Sequence, residues 1–267
     1  MPFWAIWRRQ VRWRRNEGLQ SVWLGKTGLT NLGYLSMMRL AVMGIAMLAP
    51  QVAAAADLFV RPASCVRIAT SQYDICEVWN LFRCTGAGLQ PYRAEDVDEE
   101  GVLAVATLDA DYNLVEGVDQ GVDSSVTMTV EGSTFAEVIA TEKGSNEMVG
   151  ELRLLGMRRP IYGAGTTVYE GETVEWAGVV FHRIKADAYI DMPPPMGRMT
   201  GGGSVFYNAD LDLAVDEIVW TQGMGNDTRK QLKALALPGQ LGFGAEMPSF
   251  GCQHVSGLDR PVKGAVL

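Results

Sequence analysis

The chain has 267 residues, 23 Lys/Arg against 31 Asp/Glu, and a formal net charge of −8. This acidic balance disfavours nucleic acid and anionic membrane surfaces as partners. Two histidines and four cysteines leave few residues for metal or nucleophilic chemistry.

Residues 38–56 read as a signal peptide. Arg39 precedes the apolar run Leu40 to Leu48, and Pro50 leads into Ala53 to Ala56, which supplies an Ala-x-Ala cleavage motif. The run is far shorter than the roughly 20 residues that span a bilayer. Residues 1–37 are rich in Trp and Arg. They are untranslated codons, an extended basic n-region or a basic aromatic arm for membrane surfaces. The first is favoured, because Met38-Arg39 already begins a complete signal peptide. Cleavage after residue 56 removes seven Lys/Arg and one acid, leaving 16 bases, 30 acids and a net charge of about −14. Residues 57–267 then form a single β-rich domain.

All four cysteines, Cys65, Cys76, Cys84 and Cys252, follow that segment. An even count in an exported chain predicts two disulfides. Of the three connectivities, Cys65–Cys76 with Cys84–Cys252 is preferred. Zinc is disfavoured, because no Cys-x-x-Cys occurs and no His lies at ligand spacing.

Cys65 to Thr70 alternates as a strand, Ser71 to Asp74 is a turn candidate, and Ile75 to Cys84 returns as the second arm of a hairpin. A loop spans Gly86 to Pro91. Glu95 to Glu100 holds five acids in six residues and is expected to face water. Val102 to Leu108 has strand length, and Asp109 to Asn113 turns the chain. Asp109-x-Asp111-x-Asn113 opens like a calcium loop, but Leu114 and Gln120 replace its Gly and Glu, so it reads as a solvated turn. Ser124 to Glu131 alternates, with Val126, Met128 and Val130 on one face. Thr134 and Glu137 fit a capping box for a short helix closed by Gly144.

Val149 to Met157 is a strand ended by Arg158-Arg159-Pro160, and Thr166 to Tyr169 is a short strand. From Val174 to Met192 every even position is uncharged, while Glu175, Arg183, Lys185, Asp187 and Asp191 occupy odd ones. That period of two marks a half-buried antiparallel strand. A bulge or a tight hairpin is expected at Ala177-Gly178, and a hairpin would bring Val179 and Phe181 onto the face of Trp176. Trp176, Val180, His182, Ile184 and Ile190 form a candidate apolar ligand face. Pro193 to Pro195 ends the stretch, and Gly201 to Gly203 is a flexible connection. Val205 to Tyr207 and Leu211 to Trp220 make a hairpin about Asn208-Ala209-Asp210. Residues 228–237 suit a helix capped by Asp227 or a strand, and the Gly- and Pro-rich tail follows. Short strands at this spacing predict a mainly β fold: an antiparallel sandwich, half-barrel or barrel with one or two short helices.

No nucleophile elbow, phosphate loop or metal motif is present, and no cofactor is expected. His182 reads as a core or rim residue. His254 follows Cys252 by two positions, but an oxidised cysteine is no nucleophile. Acids at Asp187, Asp191, Asp210, Asp212, Asp216 and Glu217 leave a carboxylate-based hydrolase as the weakest of three readings. The spacing of Cys65, Cys76 and Cys84, with Pro238-Gly239-x-Leu241-Gly242-Phe243 before Pro248 and Cys252, resembles uncharacterised exported alphaproteobacterial proteins with a four-cysteine pattern. That resemblance implies export and transfers no activity. A looser similarity is to half-barrel carriers of the bacterial envelope that shelter lipid chains. The leading expectation is a non-enzymatic periplasmic or envelope protein that holds an apolar ligand or a protein partner on a concave sheet face. The alternative is a structural or assembly factor of the envelope acting through an acidic surface.

Overall fold

The computed structural model describes residues 59–120, 124–192, 194, 197–223 and 227–252. The expected signal peptide, residues 1–37, His254 and the end of the tail lie outside the described residues.

The strands are β1 (Cys65–Tyr73), β2 (Glu77–Cys84), β3 (Tyr92–Asp98), β4 (Gly101–Leu108), β5 (Leu114–Asp119) and β6 (Ser124–Gly132). After helix α1 (Phe135–Thr141) come β7 (Lys143–Leu154), β8 (Met157–Trp176), β9 (Val179–Met192), β10 (Gly197–Asn208), β11 (Leu213–Gln222) and β12 (Thr228–Ala236). Each strand pairs antiparallel with the next, and β12 pairs back onto β1, closing a twelve-stranded barrel. The fold is therefore the barrel among the expected β architectures.

Strand pairing fixes which side chains share a face, because opposed residues project the same way. One face carries Leu81, Ala94, Ala106, Val126, Leu152, Ile161, Ile184, Ile190, Met199 and Leu232, all buried. That face points into the barrel. The opposite face of β7 to β10 carries Glu147, Glu151, Arg153, Arg158, Glu170, Arg183, Lys185, Asp187, Asp191 and Arg198. A charged outer face on these strands differs from the apolar band of a barrel that faces lipid. Among the described residues no helix is long and apolar enough to cross a membrane.

Helix α1 is set by its own sequence. Thr134 Oγ1 accepts the Glu137 backbone N–H at 3.2 Å, and Glu137 Oε2 accepts the Thr134 N–H at 2.9 Å, so the capping box is complete. The helix ends on Glu142 in the left-handed region, two residues before the expected Gly144, which already belongs to β7. Gly144 is needed there for another reason. A Cβ on it would sit 2.6 Å from Val138 Cγ2, so a larger residue would lift the helix off the barrel.

Several expectations are corrected. The first hairpin turns later than Ser71, since β1 runs to Tyr73. Arg158 to Pro160 does not end a strand: the turn is Leu155-Gly156, and these residues open β8. Pro160 is accommodated because β9 begins to pair only at Tyr162. Thr166 to Tyr169 is the middle of the 20-residue β8 rather than a separate strand. Gly201 to Gly203 is not a flexible connection but part of β10. A Cβ on Gly202 would meet Asp187 Oδ1 at 2.4 Å and Trp220 Cζ2 at 2.6 Å, so glycine there lets side chains of neighbouring strands cross β10. The acidic run Glu95 to Glu100 is not wholly solvated; Glu95, Asp96 and Asp98 are buried in β3.

Ala177 and Gly178 form a two-residue hairpin turn with φ of 56° and 75°. Val174 then opposes Phe181 and Trp176 opposes Val179, so these residues share a face. Residues 228–236 are a strand, not a helix.

The disulfides are Cys65–Cys84 and Cys76–Cys252, so the preferred connectivity is overturned. The hairpin explains it. Cys65 and Cys84 are opposed across β1 and β2 with Cα atoms 3.9 Å apart. Cys76 lies in the turn, at the far end of a strand roughly 26 Å long at about 3.3 Å per residue. There it meets the tail, which lies on the outer face of β1 and β2. Gly244 N–H donates to Thr70 Oγ1 at 3.0 Å, Asn80 Nδ2 to the Ala245 carbonyl at 3.2 Å, and Ser249 N–H to Gln72 Oε1 at 2.8 Å.

Candidate functional site

The inward rows change character along the barrel axis. At the helix end they are large. Tyr92 and Tyr112 stack with ring centroids 4.2 Å apart, and both hydroxyls reach Asp212 in the turn before β11. Arg83 Nη2 donates to the Leu211 and Asp212 carbonyls at 3.0 Å. Phe135 of α1 packs on Tyr207 at 5.3 Å, and His182 Nδ1 lies 2.8 Å from the Tyr169 hydroxyl. Together these groups shut that end. Burial pushes the Tyr92 and Tyr112 phenols up, and Asp212 reinforces the shift.

Across the middle, two runs of inward positions are small. Ala94, Ala104, Ala106 and Gly117 line one wall; Gly163, Gly165, Ala186, Ala188, Gly201 and Gly203 line the other. At the end away from the helix, Glu77, Asp98 and Asp119 face inward beside Thr221 and Lys230.

Between these zones sits a polar cluster. The Trp79 indole N–H donates to Asp96 Oδ2 at 2.7 Å, and the Tyr73 hydroxyl donates to the Asp216 carbonyl at 3.0 Å. Lys230 Nζ lies 4.3 Å from the ring centroids of both Tyr73 and Trp79. Asp216 is 1% exposed. Its carboxylate lines a cavity of about 20 Å³ with Trp79, Leu108, Tyr112, Phe135 and Val205, room for a single water. Burial raises its pKa to about 6, with Lys230 opposing the shift.

A second concavity lies on the outer surface. This groove of about 770 Å³ crosses β10 at Gly203 and Ser204. Arg183 bridges Glu172 and Glu217 in its wall, and Ser204 Oγ donates to Glu217 Oε2 at 2.6 Å. Lys185 in the same lining pairs with Glu170.

Of the residues expected to form an apolar ligand face, His182, Ile184 and Ile190 lie on the inward rows of β9, with Ile184 and Ile190 buried. Trp176 packs against Phe206 at 5.7 Å, on the opposite side of the sheet, and Val180 is exposed near the hairpin tip. The hairpin turn divides the two halves of that stretch. Tyr92, Tyr112, Asp96 and Lys230 were missed, since each reads locally as a charge or aromatic on an ordinary strand or turn, and Asp216 was named only among the scattered acids.

The scattered acids do not converge. Asp191 is bidentate to Arg198 at 2.7 and 2.8 Å, Asp212 binds Tyr92, Asp216 faces inward and Glu217 outward. Asp109 Oδ1 accepts the Asp111 and Asn113 backbone N–H groups at 2.9 Å, and its Oδ2 accepts Asn113 Nδ2 at 3.2 Å. Cys76, Glu99 and Cys252 cluster closely enough to suggest metal ligands, but both sulfurs are in the disulfide. No known family model, curated protein or solved structure matches this chain.

Proposed function

We propose that the chain is a non-enzymatic binding protein of the bacterial envelope, exported and processed, that holds an apolar ligand inside its barrel. The observation that carries this reading is the belt of inward Ala and Gly residues. An eight-stranded barrel is just wide enough for side chains to fill. Twelve strands enclose a wider space, and two stretches of its wall carry side chains of one carbon or none. One end is closed by α1 and the Tyr92–Tyr112–Asp212 cluster, so a ligand enters from the other. Concave, mostly apolar spaces with a few polar groups are the usual form of small-molecule sites. The paired cysteines suit an oxidising compartment such as the periplasm.

The test is native mass spectrometry of the protein isolated from the periplasm, with its processed start and any bound mass read together. A bound apolar molecule is expected, released on unfolding. Ala106→Phe and Ala186→Phe fill opposite walls of the belt and should abolish the adduct while the barrel still melts cooperatively. An adduct that survives both substitutions, or a chain that never binds apolar molecules, defeats the proposal.

A further inference from the structure

The β7–β8 hairpin ends in a tip that neither turn geometry nor solubility explains. Its two turn residues, Leu155 and Gly156, both have positive φ, 51° and 77°. Such turns favour Asn-Gly or Asp-Gly, because a leucine in the left-handed region is strained. Here the leucine is also 66% exposed, and Met157 beside it is 52% exposed. Backbone strain that persists at an exposed apolar residue points to a use for that residue. Three arginines stand directly behind the tip. Arg153 and Arg158 are opposed across the hairpin on its outer face, and Arg159 lies on the other face, opposite Leu152. Like charges opposed on a sheet repel. Glu151 lies 3.6 Å from Arg158, and Arg153 Nε has no hydrogen-bond partner. The hairpin also stands clear of one neighbour. β9 begins to pair with β8 only at Tyr162, so residues 157–161 have β7 alone beside them, a reach of roughly 16 Å at about 3.3 Å per residue.

We propose that this tip docks the protein on an anionic phospholipid surface, with Leu155 and Met157 in the acyl boundary and Arg153, Arg158 and Arg159 on the headgroup phosphates. Apolar side chains at a tip need a dry environment, and guanidinium groups behind it need anions. A phospholipid surface offers both at adjacent depths. An acidic protein surface would answer the arginines but not the leucine and methionine in front of them. The chain as a whole is acidic, which repels the rest of its surface from such a membrane and confines contact to the tip. Helix α1 joins β6 and β7 at one end of the barrel, so the β7–β8 tip lies at the other, beside the open mouth. Docking there turns the mouth toward lipid, whether or not the barrel holds a ligand.

Flotation of the purified, processed, disulfide-intact protein tests this, with vesicles of phosphatidylcholine alone and of phosphatidylcholine mixed with phosphatidylglycerol. Binding to the anionic vesicles should be on the order of a hundredfold tighter, given three arginines at the surface, and should fall away in ~0.5 M salt. Leu155→Asn supplies the residue type this turn prefers, so the variant should melt as high as the wild type or higher and yet lose most of its vesicle binding. Arg153→Gln with Arg158→Gln and Arg159→Gln should bring the two vesicle types to within about twofold. Equal binding of both vesicle types by the wild type, or binding that survives Leu155→Asn, overturns the proposal. So does failure to bind either vesicle. A soluble dimer that Leu155→Asn dissociates, with no vesicle binding, assigns the tip to a second copy of the chain instead. The bound apolar mass is read separately, so docking and ligand binding can each fail alone.

Discussion

Asp216 and Glu95 are both buried acids, and pH acts on them in opposite directions. Asp216 titrates at about 6 in the folded barrel, against an ordinary value near 3.9 in the unfolded chain. The folded state therefore binds more protons between about pH 4 and pH 6, and stability rises as pH falls through that window. At neutral pH the cost of the ionised group stands in full, on the order of 2–3 kcal/mol. Asp216→Asn should melt higher than the wild type at pH 7.5, and the gap should close by pH 4. A gap independent of pH in thermal melts would refute this. Glu95 behaves conversely. Burial alone would raise its pKa, but hydrogen bonds from Arg61 and Arg93 hold it below the usual glutamate value. Its contribution is present above the ordinary glutamate value and is lost as pH falls through the folded one. Glu95→Gln leaves the buried Arg93 guanidinium without its anion and should cost about 3 kcal/mol at pH 7 in urea unfolding.

Elements whose cause is local were legible in the sequence. The capping box of Thr134 and Glu137 needs only residues three apart, and α1 forms where that signal places it. Thr134→Ala should cost about 1 kcal/mol, read as a lower urea midpoint at unchanged slope. A loss near zero would mean that packing of Phe135 and Val138, not the cap, holds the helix. The alternation of β6 was equally readable, with Val126 and Met128 buried and Thr127 and Thr129 exposed. Elements decided by distant partners were not. Nothing near Glu95 in sequence announces Arg61, 34 residues earlier. Gly201 to Gly203 reads as a loop until Trp220 and Asp187 are known to cross it. The candidate site fails for the same reason, because which face of β9 points inward depends on a turn whose type the sequence left open. Trp176 and Ile184 then fall on opposite sides of the sheet.

At the scale of the molecule, the two disulfides do different jobs. Cys65–Cys84 joins opposed residues of one hairpin across 19 residues, worth about 3 kcal/mol in the chain-entropy model. Cys76–Cys252 spans 176 residues, worth about 5 kcal/mol on the same basis. The second also fastens the tail over Thr70, Gln72 and Asn80, outward polar groups on strands that flank the barrel's closing seam. That seam is anchored by four partner pairs between β1 and β12, far fewer than the twelve between β7 and β8. Loosening the tail therefore uncovers the barrel beside one of its short ladders. Cys76→Ser with Cys252→Ser should lower the melting temperature by about 10–20 °C, and Cys65→Ser with Cys84→Ser by less. Hydrogen exchange provides the local readout. In the first variant the amides of β1 and β12 should lose protection while those of β7 and β8 keep it. Equal loss around the whole barrel would mean that the bond acts only through the unfolded chain, and that the tail gives the seam no support.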